Sequence, residues 1–405
     1  MKKNISQLDG YRRSRLSAER GISPKKSAPL RVCLVFPNTY HVGMSNLAVH
    51  MLYSILNQRG DCLCERSFCE EPLTGKSLES GSGLETFHVI AFSISFELDY
   101  PGVLKALLAA RIPPRSADRD ESHPLVIAGG PCIFSNPEPL ADCVDACVIG
   151  EGEEVIGEIM DVFAEAHTRR LDRASMLQAL SEVPGVYVPR HYVPVYSDDG
   201  RLSRMEKNGP GALPVAARVV SDLDAHSCCS AIVTPETEFS NMFLVELGRG
   251  CRRGCRFCSA CHIYLRRERS LESVKKQALA GKALSKRVGL ITSDFADYTH
   301  REELIDFLLN KGMGFSVSSV RADAITDDLL AGMRASGQRT LTLAPEVASD
   351  KLAAYTGKKI TSDTLLAAVD MALGRHITNF RLYFMIGFPG EDDADVEAIP
   401  ELASR

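Results

Sequence analysis

The chain has 405 residues, of which 45% are hydrophobic, so it is long enough to bury the cores of two or three domains. A formal net charge of -5 gives no overall field that would recruit nucleic acid or an anionic membrane, and no apolar run approaches the roughly 20 residues that span a bilayer. The 13 cysteines are odd in number and follow no secretory signal, which favours a reducing, cytoplasmic compartment over a disulfide framework.

The start of the chain is basic and polar and lacks the apolar core of a secretory signal. We therefore predict a flexible basic leader over residues 1–29. Its eight Lys and Arg residues are compatible with an RNA partner, but they do not by themselves indicate one.

The first half of the chain alternates short apolar runs with helical patterns. The predicted strands lie at 32–37, 88–95, 124–130 and 146–150. This order predicts an α/β domain over residues 30–178, with a doubly wound, flavodoxin-like parallel sheet. Ligands of such sheets bind at the carboxyl ends of the strands, where the segments PNTYHVGMSN, SISFEL, GGPC and GEGEE fall.

Residues 179–240 have a different pattern, because GVYVPRHYVPVYSDDGRL alternates apolar and aromatic residues around Asp199 and Gly200. This predicts a hairpin followed by a connector. Over residues 241–405 the alternation of strands and helices returns and predicts part of a (β/α) barrel. The five strands predicted there are MFLVELG, VGLITS, GFSVSS, TLTLAP and FRLYFMIGFPG.

The loop after the first of these strands, LGRGCRRGCRFCSACHIY, holds four cysteines within eleven positions. Thiolates at Cys251, Cys255 and Cys258 can converge on one soft-metal centre. Zinc needs four protein ligands, so Cys261 or His262 would have to close a zinc site. The arginines of the loop make it too charged for a plain core of buried thiols. An iron–sulfur cluster is the preferred interpretation, with zinc and buried thiols as the alternatives.

The motif Cys251-x-x-x-Cys255-x-x-Cys258, with Phe257 before its last cysteine, resembles the signature loop of radical S-adenosylmethionine (SAM) enzymes. In that superfamily the loop follows the first strand of a partial (β/α)6 barrel. The resemblance implies that three thiolates hold a [4Fe-4S] cluster whose open iron is chelated by SAM, with Cys261 as a bystander. It also implies an electron donor such as ferredoxin or flavodoxin, and a 5'-deoxyadenosyl radical that abstracts hydrogen from the substrate.

By the same resemblance, residues after the later strands contact SAM. TLTLAPEVASDKL resembles the fourth-strand region and YFMIGFPGED the fifth strand and its turn, whereas the usual Gly-Gly-Glu stretch after the second strand is absent. For Arg321, a salt bridge at the surface is the alternative. The candidate SAM contacts are Phe257, Ser293, Asp294, Ser318, Arg321, Glu346, Gly387 and Pro389.

The first half resembles the cobalamin-binding module of one subgroup of the superfamily, whose pattern is Asp-x-His-x-x-Gly, then Ser-x-Leu, then Gly-Gly. Tyr40 stands in place of the cobalt-ligating histidine, and ordinary tight turns explain the glycines equally well. Cobalamin binding is therefore left open. Its candidate contacts are Asn38, Tyr40, Gly43, Ser93, Ser95, Gly129 and Gly130.

The resemblance covers residues 30–395 and implies a radical SAM enzyme with an unknown substrate and no assigned catalytic residue, with methyl or methylthio transfer as a candidate reaction. The chain ends shortly after the fifth strand, so we expect an incomplete barrel, either a truncated product or one whose remainder is encoded separately. Two alternatives stay open. One is an electron-transfer or structural metal protein in which Cys261 completes a four-cysteine site, and the other is a non-catalytic cobalamin-binding module.

Overall fold

The computed structural model describes the backbone of residues 2–405 and the side chains from Ser6 onward. The chain forms two compact units, Met1–Asp222 with Ser230–Ser240 and Leu223–Cys229 with Asn241–Arg405. Every cysteine is a free thiol. Over the described residues, no helix is both long enough and apolar enough to cross a membrane.

The first unit is built on a six-stranded sheet in the order β3-β2-β4-β5-β6-β7, in which only the β6–β7 pair is antiparallel. Its strands are β1 (Arg20–Gly21), β2 (Leu30–Phe36), β3 (Cys62–Phe68), β4 (Val89–Ser93), β5 (Leu125–Gly129), β6 (Ala146–Val148), β7 (Val186–Tyr187), β8 (Tyr192–Tyr196), β9 (Leu202–Lys207) and β10 (Ile232–Val233). Its helices are α1 (Lys2–Ala18), α2 (Tyr40–Met44), α3 (Leu47–Gln58), α4 (Tyr100–Ala109), α5 (Pro131–Ser135), α6 (Val155–Arg169) and α7 (Arg173–Ser181).

Both faces of this sheet are buried, as its near-continuous apolar strands predict. On β2, Val32 and Leu34 point into a core shared with α3, α6 and α7. Cys33 and Val35 point into a second core shared with α4 and α5. The alternation follows from the period of two along a strand, and it confirms the predicted parallel sheet with helices on both faces.

Strand β3 was not predicted from the sequence, because the charged residues Glu65 and Arg66 interrupt its apolar pattern. All seven residues of β3 are nevertheless buried. The Arg66 guanidinium donates to Glu79 and to Glu19, each at 2.7 Å, and these partners satisfy its charge inside the core. Since the partners lie 13 and 47 residues away in the chain, local sequence gave no sign of them.

The segment predicted to be a flexible leader is instead largely helical, and that prediction was wrong. Leu8 of α1 is 6% exposed and belongs to the first core. The Tyr11 hydroxyl donates to Glu70, and Arg12 Nε donates to the Leu78 carbonyl oxygen at 2.7 Å. The leader is ordered because its polar side chains find partners around residues 70–79, which a reading of local composition does not reveal.

The predicted hairpin is confirmed, since β8 and β9 pair antiparallel and are joined through Gly200 at a φ of +79°. Farther along the connector, β10 pairs antiparallel with β1.

The second unit contains the five predicted parallel strands. β11 pairs with β14 and β14 with β15, while β16 pairs with β17, and a parallel bridge between Val320 and Leu343 links the two groups. The strands are β11 (Phe243–Glu246), β12 (Gly248–Arg249), β13 (Arg267–Glu268), β14 (Arg287–Ile291), β15 (Gly314–Val317), β16 (Thr340–Glu346) and β17 (Asn379–Phe384). The helices are α8 (Ala260–Ile263), α9 (Leu271–Gly281), α10 (Arg301–Asn310), α11 (Asp327–Ala335), α12 (Asp350–Thr356), α13 (Ser362–Gly374) and α14 (Asp393–Ser404).

Two adjacent glycines at the end of β5 allow a matched test of the turn that follows the strand. Gly130 has a φ of +111°, and a Cβ there would lie 2.4 Å from the Ile94 carbonyl oxygen, whereas a Cβ on Gly129 would meet only the Val148 Cβ at an ordinary 3.6 Å. We expect Gly130→Ala to lower the free energy of unfolding by about 1–3 kcal/mol and Gly129→Ala to change it much less. Urea unfolding of both variants measures the difference, and equal midpoints would contradict the strain at Gly130.

Candidate functional site

The cysteine loop leaves the carboxyl end of β11 and lies between β12 and α8. Its three signature thiols, Cys251, Cys255 and Cys258, are all partly exposed. The Cys258 amide donates to the Cys255 carbonyl oxygen at 3.1 Å, and the Arg253 amide lies 3.5 Å from the Cys251 sulfur. These short-range contacts fold the backbone back on itself within residues 251–253 and within residues 255–258.

In the part of the chain that the structure describes, no three His, Cys, Asp or Glu side chains are placed to hold one ion. A zinc ion requires ligand sulfurs about 2.3 Å from a single point, so its ligands converge tightly. The spacing Cys251-x-x-x-Cys255-x-x-Cys258 therefore remains the feature that favours an iron–sulfur cluster over zinc.

Electrostatic interactions link the thiols to two cations. Burial raises the pKa of Cys255, while the nearby charges of Arg321 and Lys358 act to lower it. The other two thiols of the triad act in the opposite direction and raise it. The positive charges of Arg321 and Lys358 therefore lie close to Cys255, where three thiolates would add negative charge.

The fourth cysteine of the loop, Cys261, lies in α8. Its sulfur is 3.7 Å from the Cys258 carbonyl oxygen, one helical turn back along the chain. The thiol thus has a local backbone partner, which is compatible with the prediction that Cys261 is a bystander.

A buried ionic cluster fixes the base of the loop. Glu246, the last residue of β11, accepts from Arg249 at 2.8 Å and from the buried Arg269 at 2.7 Å. Burial would raise the pKa of Glu246, but the two arginines together hold it below its usual value. Arg269 also donates to the carbonyl oxygens of Leu223 and His226. The strand, the loop and the connector are therefore joined at one charged centre.

The other side of the loop rests on the end of α12. The Arg256 amide donates to the Thr356 carbonyl oxygen at 2.9 Å, and its guanidinium donates to the Tyr355 carbonyl oxygen at 3.0 Å. The helix ends at Gly357, whose φ of +72° is favourable for glycine at this position. Lys358 follows at once, which brings its charge next to the loop.

Glu346, a candidate SAM contact, is paired with this lysine. Its carboxylate accepts from Lys358 Nζ at 2.7 Å, and its own φ of +73° lies at an irregularity between β16 and β17. Lys358 was not among the candidate residues predicted from the sequence. No motif in its neighbourhood distinguishes it, and its acidic partner is 12 residues away.

Two further candidates, Asp294 and Arg321, are held by ion pairs. Arg253 of the loop donates to Asp294 at 3.3 Å, and the pKa of Asp294 is raised, chiefly by burial. Arg321 is bound by Asp323 at 2.9 and 2.8 Å and also donates to the Lys358 carbonyl oxygen at 2.9 Å. Neither Arg253 nor Asp323 was singled out from the sequence.

The aromatic candidate Phe257 contacts the turn after β17. Its ring meets Phe388 edge to face, with centroids 6.0 Å apart. Gly387 and Pro389 flank Phe388, and Glu391 accepts from the amides of residues 387 and 388. The structure thus brings this turn to the cysteine loop. Ser293 and Ser318 instead are exposed residues that follow β14 and β15.

In the first unit, the candidate cobalamin contacts mostly have protein partners. Asn38 donates to Asp99 at 2.7 Å, and Ser95 accepts from Asn46 at 2.8 Å. Ser93 is buried at the end of β4. A Cβ on Gly43 would lie 2.5 Å from the Phe68 ring, so packing accounts for that glycine.

Tyr40 is fully buried, and its hydroxyl donates to Glu19 at 2.7 Å. Burial, followed by the negative charge of Glu19, raises the pKa of this phenol. The side chain is therefore a neutral hydrogen-bond donor inside the core. Its neighbour His41 is exposed and lies 3.8 Å from Glu238.

Known families and proteins match both units. Residues 48–189 match the family model described as the N-terminal region of radical SAM proteins, and residues 245–403 match the radical SAM superfamily model. An uncharacterized protein of Methanocaldococcus jannaschii is 30% identical over 377 residues, covering 92% of this chain and 73% of that protein. An uncharacterized methyltransferase of Pyrococcus horikoshii is 26% identical over 340 residues, covering 79% of this chain and 67% of that protein.

Two solved structures share the fold. The radical SAM methyltransferase TsrM from Kitasatospora setae, solved with cobalamin and a [4Fe-4S] cluster, superposes with a TM-score of 0.58 at 15% identity, over 93% of this chain and 74% of TsrM. The cobalamin-dependent SAM radical enzyme OxsB, solved with aqua-cobalamin, gives 0.60 at 16% identity, over 94% of this chain and 52% of OxsB.

The parallel sheet of the first unit and the strand-bound cysteine loop of the second define the class of a radical SAM enzyme with an N-terminal α/β domain. The chain belongs to the radical SAM superfamily, as its cysteine motif predicted.

Proposed function

We propose that this enzyme holds a [4Fe-4S] cluster on Cys251, Cys255 and Cys258 and uses it to cleave SAM reductively. The observation that carries the proposal is a single loop with three thiols at the signature spacing and with the charges of Arg321 and Lys358 near Cys255. Soft thiolate ligands favour iron–sulfur clusters, and positive charge offsets the negative charge that a cluster adds.

When bound to these three thiols and reduced, a [4Fe-4S] cluster would supply the one electron needed to cleave SAM, for radical chemistry that would remove a hydrogen atom from the substrate. The protein holds the loop rigid for this reaction through Glu246 at its base and the end of α12 at its side. Arg321 and Lys358 contribute positive charge next to Cys255.

The candidate SAM contacts divide by their chemistry. The buried Asp294 carboxylate suits the SAM amino group, and the Arg321 guanidinium suits its carboxylate. The turn at Gly387 and Pro389 reaches the cysteine loop through Phe257 and Phe388, which favours a role beside the adenine. Glu346, Ser293 and Ser318 complete the proposed set at the carboxyl ends of their strands.

We further propose methyl transfer as the reaction type and cobalamin as the methyl carrier in the first unit. Support comes from the TsrM fold and from the Pyrococcus horikoshii relative, both described as methyltransferases. The carboxyl ends of the strands are where ligands of such sheets bind, and β5 ends there in Gly129 and Gly130. When bound, cobalamin supplies a cobalt centre that accepts and donates a methyl group.

The first test of the proposal is SAM cleavage. Protein purified and reconstituted without oxygen, then reduced with dithionite, is expected to convert SAM to 5'-deoxyadenosine and methionine, both measured by liquid chromatography with mass spectrometry. If methyl transfer to cobalamin dominates, S-adenosylhomocysteine would appear when cobalamin is added. A fully loaded cluster that yields none of these products would exclude the proposed function.

A second test separates the ligand cysteines from the bystander. Cys255→Ala should lose most of its bound iron and sulfide and all SAM cleavage, because a lost thiolate ligand removes metal binding. Cys261→Ala is the matched control, from the same loop, and should keep both. Iron and sulfide analysis with the visible absorption spectrum measures the outcome. Equal losses in the two variants would restore the four-cysteine alternative.

A third test concerns the lower face of the cobalt. Because the Tyr40 phenol is buried and bonded to Glu19, we expect cobalamin to bind with no protein nitrogen on cobalt. Electron paramagnetic resonance of the cob(II)alamin-loaded protein should then lack superhyperfine splitting from histidine. Splitting that disappears in His41→Ala would show that the neighbouring histidine is the ligand and that the assignment of Tyr40 is wrong.

A further inference from the structure

A cavity of about 170 Å³ lies in the first unit at the amino ends of β4 and β5. Its walls come from the residues just before these strands, from the last turns of α6 and from the start of α7. The candidate cobalamin contacts Ser93 and Gly129 end the same two strands, so the cavity lies at the opposite edge of the sheet. None of the described residues that line it was assigned to the cluster, to SAM or to cobalamin.

The wall that α6 contributes to the cavity is aromatic. The rings of Phe163 and His167 lie 13° from parallel with their centroids 6.1 Å apart. The His88 ring meets both edge to face, with centroids 6.4 Å from Phe163 and 5.1 Å from His167. Flat rings pack favourably against such a wall, and an apolar cavity of about 150 Å³ is large enough to bind benzene. Because His167 is exposed and the cavity opens beside it, the space suits a planar ligand of one or two fused rings.

The imidazole of His88 is a neutral hydrogen-bond donor. Its Nδ1 accepts from the backbone amide of Arg31 at 3.0 Å, so in the neutral ring the proton lies on Nε2. Burial, followed by the charges of His167 and Arg31, lowers the pKa of His88 and keeps the ring neutral at pH 7. A protonated Nε2 can donate to a ligand but has no lone pair with which to bind a metal ion. His88 therefore favours a ligand with a hydrogen-bond acceptor over a transition metal.

Glu121 gives the cavity an exposed carboxylate. One of its oxygens accepts from the Arg173 backbone amide at 3.2 Å, and a carboxylate can accept several hydrogen bonds, so capacity remains for a donor on the ligand. The guanidinium of Arg173, which also lines the cavity, is taken up by Asp145 at 2.6 Å, by the Pro124 carbonyl oxygen at 3.0 Å and by further carbonyl oxygens. A phosphate or carboxylate on the ligand would therefore meet the charge of Glu121 without a matching guanidinium.

We propose that this cavity binds an uncharged, amino-substituted nitrogen heterocycle of one or two rings, the chemical class of adenine and cytosine. A ring nitrogen accepts from His88 Nε2, and the exocyclic amino group donates to Glu121. The face of the ring packs on the aromatic wall of Phe163 and His167. The inference goes beyond the proposed function and is independent of it, because it requires no cluster, SAM or cobalamin.

The test uses the full chain and 2-aminopurine, a fluorescent base of this class. Its emission should fall in a saturable way as protein is added, because stacking on an aromatic ring quenches it, and the chain has no tryptophan to obscure the signal. Isothermal titration calorimetry then compares adenine with purine, which lacks the amino group. Purine should bind about tenfold more weakly, since it loses a hydrogen bond to a charged acceptor. The absence of saturable quenching, or equal affinities for adenine and purine, would overturn the proposal.

A substitution that fills the cavity locates the bound base. Ala166 is buried and lines the cavity, so Ala166→Leu should occupy part of the ligand space and raise the dissociation constant for adenine about tenfold or more. The matched control is Thr168→Leu, which enlarges an exposed side chain of the same helix outside the cavity and should leave the constant unchanged. Equal constants in the two variants would show that the base binds elsewhere.

A second variant decides the question if Ala166→Leu does not fold. Glu121→Gln keeps the size of an exposed side chain, and it should raise the dissociation constant for adenine about fivefold, because a neutral amide is a weaker acceptor than a carboxylate. Glu165→Gln removes the same charge from an exposed position outside the cavity and should have no effect. Unchanged affinity in Glu121→Gln would contradict the proposed contact.

Competition against 2-aminopurine tests the choice of ligand. Adenosine identifies the source of the base, since binding as tight as that of adenine indicates a nucleoside and weaker binding a free base, and both support the proposed class. Phenol, adenosine 5'-monophosphate and zinc chloride should each compete less well than adenine. Stronger competition by phenol would indicate a site for any flat apolar ring, by the monophosphate an anion site, and by zinc a metal site. Each of these three results would overturn the proposal.

Discussion

The site depends on one buried interaction, the ion pair between Glu246 and Arg269. Arg269 is almost wholly excluded from solvent, and a buried guanidinium is tolerated only when a carboxylate and further acceptors surround it. Glu246 ends the strand from which the cysteine loop departs, and the carbonyl oxygens of the connector supply the remaining acceptors. The direction in which the loop leaves the sheet is thus set by the need to satisfy one buried charge.

The same principle recurs in both units of the chain. Arg66 in the first unit is buried between Glu19 and Glu79, and Lys358 in the second unit is paired with Glu346. Each of these cations has a carboxylate partner, so the ion pairs hold the strands and turns that carry them in position.

Several features of the fold could not have been found from local sequence. Strand β3 was missed because its central charges look incompatible with a buried strand, and α1 was expected to be flexible because its composition is basic and polar. In both cases the deciding partners lie far away in the chain, as with Arg66 and Glu19 or Tyr11 and Glu70. A single sequence does not reveal which carboxylate will pair with which cation when the two are far apart in the chain.

The sequence by itself determined the superfamily, through the spacing of the cysteine loop, and the order of the five parallel strands around that loop. Thiol spacing is a local property, and the periodicity of buried strands is carried by consecutive residues. Only the tertiary structure decided which charges surround that loop, because Arg321 and Lys358 reach it from separate strands and helices of the second unit. It also decided that the Tyr40 hydroxyl turns inward to Glu19, since burial depends on the packing of the whole unit rather than on the motif in which the residue stands.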